Sequence, residues 1–200
     1  MDIILEIDQH RVGSEVIAKY GRHRDEIYLS HFGDEIIWQA REIIPQTSYH
    51  FFHRLITQIP LNSGDTVVDM GMGFGRLGFV IGATRPELNF KGYEIVSERV
   101  IEANRVHQLM GLPPSIEFLH QDLADPNFKL PDAKLYWAYN PVSAQTGNKL
   151  WLDLIKKAKA GKEFYFVGSM NFSGVEIHDL IEKHFPRVRE SAFMLYKSRP

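Results

Sequence analysis

A glycine-rich run, TVVDMGMGFGRLG at residues 66–78, constrains the fold of this chain more than any other feature. An apolar strand leads into Asp69, and glycines then occupy every second position at Gly71, Gly73 and Gly75. Because glycine has no Cβ, such a loop turns tightly and lets a ligand lie against the backbone. A strand that enters a glycine loop and continues as a helix is typical of a nucleotide-binding α/β unit.

The acid at the end of this strand indicates which kind of nucleotide would bind. Gly73, Gly75 and Gly78 also satisfy the dinucleotide pattern G-x-G-x-x-G, which would make the protein a reductase. That pattern usually begins directly after the strand, and a carboxylate at Asp69 would repel a pyrophosphate. Asp69 instead favours a ligand with a cationic amino-acid end, and dinucleotide binding stays open as the alternative.

Two later strand ends carry polar residues that fit the same kind of ligand. Glu94 closes the short strand KGYEIV, 19 residues after Gly75. A carboxylate at this distance accepts both hydroxyls of an adenosine ribose. Asn140 and Pro141 directly follow another expected strand, near 134–139, and lie at its carboxyl end. Open α/β sheets bind ligands at this carboxyl edge.

These motifs, in this order and spacing, resemble those of the class I S-adenosylmethionine-dependent methyltransferases. The resemblance implies that Asp122, after a third strand at 116–120, bonds the adenine amino group and that Leu123 packs on the ring. Taken alone, Asp122 is equally typical of a helix N-cap or a turn. The residues expected to bind S-adenosyl-L-methionine are therefore Thr47, Asp69, Gly71, Gly73, Gly75, Glu94, Asp122, Leu123 and Asn140.

The rest of the pattern predicts an α/β fold of the Rossmann-like methyltransferase type, with a mostly parallel sheet and helices on both faces. We expect strands near 66–70, 90–95, 116–120, 134–139 and 163–169, and helices near 75–83, 97–110, 148–159 and 175–184. The family sheet ends in an antiparallel hairpin of two strands. Here a single strand is expected within 187–197, so this end would be shorter than the family pattern or irregular.

The N-terminal part has helical rather than strand periodicity. Apolar residues recur at helical spacing over 25–44, and Pro45 ends that pattern. A second amphipathic helix follows, with Thr47 or Ser48 as its N-cap. We therefore expect a helical N-terminal cap at 1–46 and a cofactor-binding domain at 47–200.

Composition excludes several other classes of protein. The chain has 200 residues, a net charge of −2 and no cysteine, which rules out disulfides, thiolate metal sites and cysteine nucleophiles. The charge does not indicate sequence-independent binding of nucleic acid, although it does not exclude nucleic acid. No signal peptide or membrane span is expected, so a cytoplasmic protein is the default. His50 and His53 share one helix face but are expected to be surface residues, and no metal is expected.

Within the methyltransferases, the segment before the glycine loop is similar to the non-SET histone-lysine methyltransferases named for disruption of telomeric silencing. That resemblance implies that Thr47 reaches the methionine end of the cofactor. The Tyr-Gly-Glu expected before it is replaced by Ile44, Pro45 and Gln46. On this basis we expect methyl transfer to a nitrogen, with lysine in a protein substrate slightly favoured.

The end of the fourth strand leaves the acceptor open. Asn140-Pro141 also resembles the Asn-Pro-Pro-aromatic motif of enzymes that methylate adenine amino groups or glutamine amides, but Val142 and Ser143 replace its last two residues. An ordinary Asn-Pro turn is a further interpretation, and so is an inert cofactor-binding module. We expect Asn140 to position the acceptor and Tyr139 to form a wall. Trp137 and Phe172 are candidates to line an apolar channel that lowers the pKa of an amine by desolvation.

Overall fold

The computed structural model describes residues 46–189 and 195–199, without the side chains of 187–189, and five residues near the N-terminus: Arg11, Val12, Ser14, Glu15 and Ala18. The predicted helix at 25–44, and with it most of the expected cap at 1–46, lies outside the described residues.

The strands are β1 (Thr66–Met70), β2 (Asn89–Glu94), β3 (Ile116–His120), β4 (Leu135–Tyr139), β5 (Tyr165–Ser169), β6 (Arg187–Arg189) and β7 (Leu195–Lys197). The helices described from residue 46 onward are α1 (Tyr49–Gln58), α2 (Arg76–Thr84), α3 (Ser97–Met110), α4 (Ala144–Lys159) and α5 (Val175–His184).

All seven strands form one sheet in the order β3-β2-β1-β4-β5-β7-β6. The first five pair in parallel, and β7 is antiparallel to both of its neighbours. The strand order reverses between β1 and β4, which is the switch point at which doubly wound sheets bind ligands. The expectation of a mostly parallel α/β sheet is therefore confirmed.

Side-chain alternation along the strands divides the core into two layers. Val67 on β1 and Trp137 on β4 belong to the layer shared with α1, α2 and α3. Their neighbours Val68 and Tyr136 belong to the opposite layer, with α4 and α5. All four side chains are nearly or completely buried, which is why these strands read as continuous apolar runs.

Local capping explains where two helices begin. Ser48 is the N-cap of α1, and its Oγ accepts a hydrogen bond from the Phe51 N–H at 3.2 Å. Ser143 caps α4 in the same way, accepting from the Thr146 N–H at 3.3 Å. The expected start of α4 near residue 148 was therefore four residues late, because Ser143 supplies an N-cap ahead of the apolar periodicity.

One expectation at the C-terminal end was wrong and its alternative was right. Instead of one strand there are two, β6 and β7, which pair antiparallel, and their register is irregular between Arg187 and Arg189, as the sequence left open. Each is only three residues long, too short for a period of two to be recognised. His184, on the last helix, is 4% exposed, and its Nδ1 lies 3.2 Å from the Arg199 carbonyl oxygen.

Candidate cofactor and substrate site

Parallel pairing brings the carboxyl ends of three strands together. Asp69 near the end of β1 is in register with Gly92 of β2 and with Trp137 of β4. Consequently Asp69, Glu94 and Asn140, which are far apart in sequence, follow or end adjacent strands at one edge of the sheet.

The loop after β1 depends on glycine for both backbone conformation and space. Positive φ angles occur at Gly71 (77°), Gly73 (57°) and Gly75 (80°). A Cβ on Gly71 would overlap the Pro141 side chain, so the loop lies directly against the segment that follows β4. The N–H groups of Gly71 and Met72 both donate to the Tyr93 carbonyl at 2.9 Å, which ties the loop to β2.

Asp69 is a buried acid with unused hydrogen-bonding capacity. It is 1% exposed, and its Oδ1 has no hydrogen-bond partner among the residues that the structure describes. Desolvation by burial, and then the negative charge of Glu94, hold the pKa of this carboxyl well above its ordinary value. A buried polar atom of this kind needs an explanation, and a cation or donor on a ligand supplies one.

Glu94 is held rigidly beside the glycine loop. Its Oε2 accepts from the Gly73 N–H at 2.9 Å, and its Oε1 accepts from the Val96 N–H at 3.0 Å. The Arg99 Nη1 lies 3.8 Å from Oε1. Each carboxylate oxygen has a second lone-pair direction, so Glu94 can still accept hydroxyl donors while it keeps these bonds.

The residues after β3 form a turn. Asp122 Oδ1 accepts from the Ala124 N–H at 2.8 Å, the Asx-turn arrangement that sequence left open as an alternative. Leu123 is 6% exposed and packs in the layer of α4 and α5. Their roles toward an adenine ring stay a prediction.

Asn140 has an unusual backbone and a fixed side chain. Its φ is 46°, the only positive value at a non-glycine residue in the described part of the chain. Its N–H donates to the Ser169 carbonyl at 2.7 Å, and the Ser169 Oγ donates to Asn140 Oδ1 at 2.8 Å. The end of β5 thus orients the carboxamide. The adjacent Tyr139 is 61% exposed at the same edge.

Arg76 lies beside the glycine loop, outside the set of residues expected to bind the cofactor. Arg76 begins α2, and its Nη1 donates to the carbonyls of Gln46 at 3.3 Å and Thr47 at 3.2 Å. Its guanidinium lies 5.0 Å from the centroid of the Tyr49 ring. Arg76 therefore fastens the segment before α1 to the helix that follows the glycine loop.

Of the aromatic residues named as candidates to line a channel, Trp137 is buried by the alternation of side chains along β4. It is 3% exposed and packs in the core, with its ring centroid 5.2 Å from that of Phe52. It faces away from the α4 and α5 layer because it alternates with Tyr136. Phe172, at 39% exposed, does lie at the surface. His50 and His53 are exposed, as expected, and the described residues contain no group of acids and histidines arranged to hold a metal ion.

The strand order, the antiparallel β7 and the glycine loop at the switch point define the fold as the Rossmann-like fold of the class I methyltransferases. No helix in the described ranges is both long and apolar enough to span a membrane.

Comparison with solved structures supports this fold. An RNA methyltransferase from Salinibacter ruber, crystallised with S-adenosyl-L-homocysteine, matches with a TM-score of 0.56 at 17% identity, over 78% of this chain and 92% of that one. The mitomycin 7-O-methyltransferase MmcR matches at 0.54 and 17% identity, over 76% of this chain and 54% of that one. TrmN from Thermus thermophilus matches with a TM-score of 0.51 at 18% identity, over 76% of this chain and 48% of that one.

The chain therefore spans about half the length of the last two proteins. At these identities the likeness shows the fold alone. No protein-family model matches the sequence, and no curated protein matches it. The neighbours named here do not confirm the finer similarity to the histone-lysine enzymes, which stays a prediction.

Proposed function

We propose that this protein binds S-adenosyl-L-methionine and transfers its methyl group to a nitrogen. The observation that carries the proposal concerns the buried Asp69, just before the glycine loop. Its Oδ1 has no hydrogen-bond partner within residues 46–189 and 195–199 or among the few described N-terminal residues. A methionine ammonium group would satisfy this atom and would favour the ionised carboxylate. A pyrophosphate would meet two neighbouring carboxylates, Asp69 and Glu94, and would be repelled.

Other residues around the loop fit the remaining parts of the same cofactor. Glu94 would accept the ribose hydroxyls through its free lone pairs. By resemblance, Asp122 and Leu123 would contact the adenine, and Thr47 the methionine end. Gly71, Gly73 and Gly75 would let the cofactor lie against the backbone, because glycine has no Cβ.

When bound, this cofactor supplies an electrophilic methyl group on its sulfonium. The chain must then place an acceptor nitrogen in line with the S–CH₃ bond. We assign that role to Asn140, because Ser169 fixes its carboxamide and one lone pair of Oδ1 remains for an acceptor N–H. Tyr139 would form a wall at the same edge. An apolar surrounding would keep an amine acceptor neutral by lowering its pKa.

Several kinds of nitrogen are candidate acceptors. Lysine in a protein is slightly favoured, from the resemblance of the segment before α1. Amino or amide nitrogens in nucleic acid or glutamine are alternatives, which Asn140-Pro141 supports. Of the structural neighbours named above, one is called an RNA methyltransferase and one an O-methyltransferase, so the fold does not determine the acceptor. An inert cofactor-binding module would keep Asp69 and Glu94 without needing Asn140.

Replacing Asn140 separates an enzyme from an inert module. Asn140→Gly removes the carboxamide but tolerates the positive φ, so folding should be preserved. We expect turnover to fall by about 100-fold or more, while affinity for S-adenosylhomocysteine changes by less than about threefold. Ser169→Ala, which removes only the orienting hydroxyl, should lower turnover by about tenfold.

The assay would offer labelled S-adenosylmethionine with a lysine-rich protein, a glutamine peptide and an adenine-containing RNA in turn. Methylation of one acceptor by wild type and its loss in Asn140→Gly would support the proposal. Unchanged turnover in Asn140→Gly would remove Asn140 from the mechanism. Cofactor binding without methylation of any acceptor would favour the inert module.

A further inference from the structure

A cavity of about 700 Å³ lies beside the candidate substrate edge, between β5, α5 and β7. Aromatic rings form much of its lining, and they are contributed by Trp151, Phe166, Phe172, Phe185 and Tyr196. The rings pack against one another; the centroids of Trp151 and Phe166, for example, are 4.6 Å apart. Ligand pockets of this size and apolar character hold small molecules or single large side chains.

The cavity reaches the residue that orients Asn140. Ser169 is part of its lining, and the same Ser169 Oγ donates to Asn140 Oδ1 at 2.8 Å. Phe172, also in the lining, is partly exposed at the end of the sheet where Tyr139 is exposed. A molecule in the cavity would therefore lie next to the group to which we assign acceptor positioning.

The charge of the lining has one sign. Among the lining residues that the structure describes, Glu182 is the carboxylate, and none is lysine or arginine. His178 lies beside it, with Nε2 at 3.6 Å from Glu182 Oε1, and its ring centroid lies 6.2 Å from that of Phe172. An aromatic wall next to a carboxylate favours a cation with an apolar body and disfavours an anion of the same shape.

We infer that this cavity binds the acceptor, and that the acceptor carries a planar apolar group next to an amine. This inference rests on the proposed methyl transfer and deepens it, because it names the chemistry of the acceptor. The apolar group fills the aromatic cavity, and Glu182 pairs with the protonated amine as it binds. The amine then releases its proton to solvent, so that its lone pair can take the methyl group at the adjoining edge, where Ser169 and Asn140 lie. Two kinds of molecule have this chemistry: a small free amine that carries an aromatic ring, and a protein segment in which an aromatic side chain is next to a lysine.

Two indoles of opposite charge test the inference on the full chain. Tryptamine and 3-indolepropionate share a ring and differ in charge, and calorimetric titration would measure the ratio of their affinities. We expect wild type to prefer tryptamine by about threefold to fivefold, as suits a single exposed carboxylate. Glu182→Gln should abolish the preference, whereas Glu176→Gln, on the exposed face of the same helix and outside the lining, should keep it.

A second pair of variants tests the aromatic wall. Phe172→Ala should weaken both indoles, and Leu152→Ala, at a similarly exposed apolar residue outside the lining, should leave them unchanged. An acetylated Trp-Lys dipeptide amide, titrated in parallel, distinguishes a peptide acceptor from a free amine, and binding of either that is weakened in Glu182→Gln supports the inference.

Absence of binding by both indoles and by the dipeptide, or a preference retained in Glu182→Gln, would overturn the inference. S-adenosylhomocysteine titrated into the same samples keeps the two proposals apart. If it binds while the amines do not, the cavity inference fails and the cofactor proposal stands. If the amines bind and it does not, the cofactor proposal fails.

Discussion

At the residue scale, Asp69 connects stability to function most directly. Its burial and the neighbouring Glu94 raise the pKa of the carboxyl well above 3.8. The folded chain therefore holds this proton more tightly than the unfolded chain does. The stability that the protonated form contributes is present below about pH 3.8 and is lost as pH rises through the raised pKa.

Asp69→Asn removes this ionisation and should reverse the loss. We expect the variant to exceed wild type in free energy of unfolding by about 1–2 kcal/mol at pH 7 without ligand, and the difference to vanish toward pH 4. Urea unfolding across this pH range measures it, with the exposed Asp179→Asn as a control that should follow wild type. A variant less stable than wild type at pH 7 would mean that the Asp69 carboxylate is well paired in the folded protein.

Gly71 is the other residue whose substitution is informative. An added Cβ there meets both a φ of 77° and the Pro141 side chain. Gly64 has a similar φ of 83° but nothing near an added Cβ, so Gly64→Ala measures the backbone strain alone. We expect Gly71→Ala to cost about 1–3 kcal/mol more than Gly64→Ala in urea unfolding, from the steric overlap. Equal costs would show that Pro141 and the segment after β4 move freely away from the glycine loop.

At the element scale, Arg76 joins α1 to α2. Its bonds to the Gln46 and Thr47 carbonyls and its position over Tyr49 should restrain the start of α1. Arg76→Gln is expected to speed amide hydrogen exchange at the start of α1 by about tenfold, since charge-assisted bonds are lost. Exchange in β1 should be unchanged, and the exposed Arg54→Gln should behave as wild type. Unchanged exchange at Phe51 and Phe52 in Arg76→Gln would contradict the restraint.

The bounds of most helices and strands could be predicted because these elements are long enough to show their apolar periodicity. Helix α3 and strand β1 have the predicted bounds, and β2 differs by one residue at each end. Helix α4 was predicted late because its first turn, with Gly147 in it, carries little apolar signal. Gly147 is there because α4 passes very close to the Asn171 carbonyl, a tertiary contact that periodicity cannot show.

The site was predictable only in part, for a related reason. Glycines and acids at strand ends identify Asp69 and Glu94 from local sequence alone. The positive φ of Asn140 and its bond to Ser169, 29 residues away, depend on how β4 pairs with β5. The burial of Trp137 likewise depends on which face of β4 receives α1. Register, and the face to which each side chain points, are properties of the assembled sheet. Sequence therefore supplied candidate site residues, and the fold shows only where each of them lies.

At the scale of the whole molecule, the sheet order places β1 at the switch point and brings three polar strand ends to one edge. Helices α1 to α3 and helices α4 and α5 cover opposite faces, and the cavity proposed for the acceptor lies on the side of α4 and α5. Cofactor and acceptor would thus approach Asn140 from different parts of the edge, an arrangement that suits transfer between two bound molecules.

The central claim is that Asp69 and Glu94 hold an adenosyl amino acid, and a calorimetric titration tests it most directly. Wild type, Asp69→Asn and Glu94→Gln would each be titrated with S-adenosylmethionine, S-adenosylhomocysteine and NADH. We predict that wild type binds the two sulfur nucleotides with Kd in the micromolar range, that each substitution weakens both by about tenfold or more, and that NADH does not bind. Failure of wild type to bind either sulfur nucleotide, or binding of NADH in their place, would contradict the account.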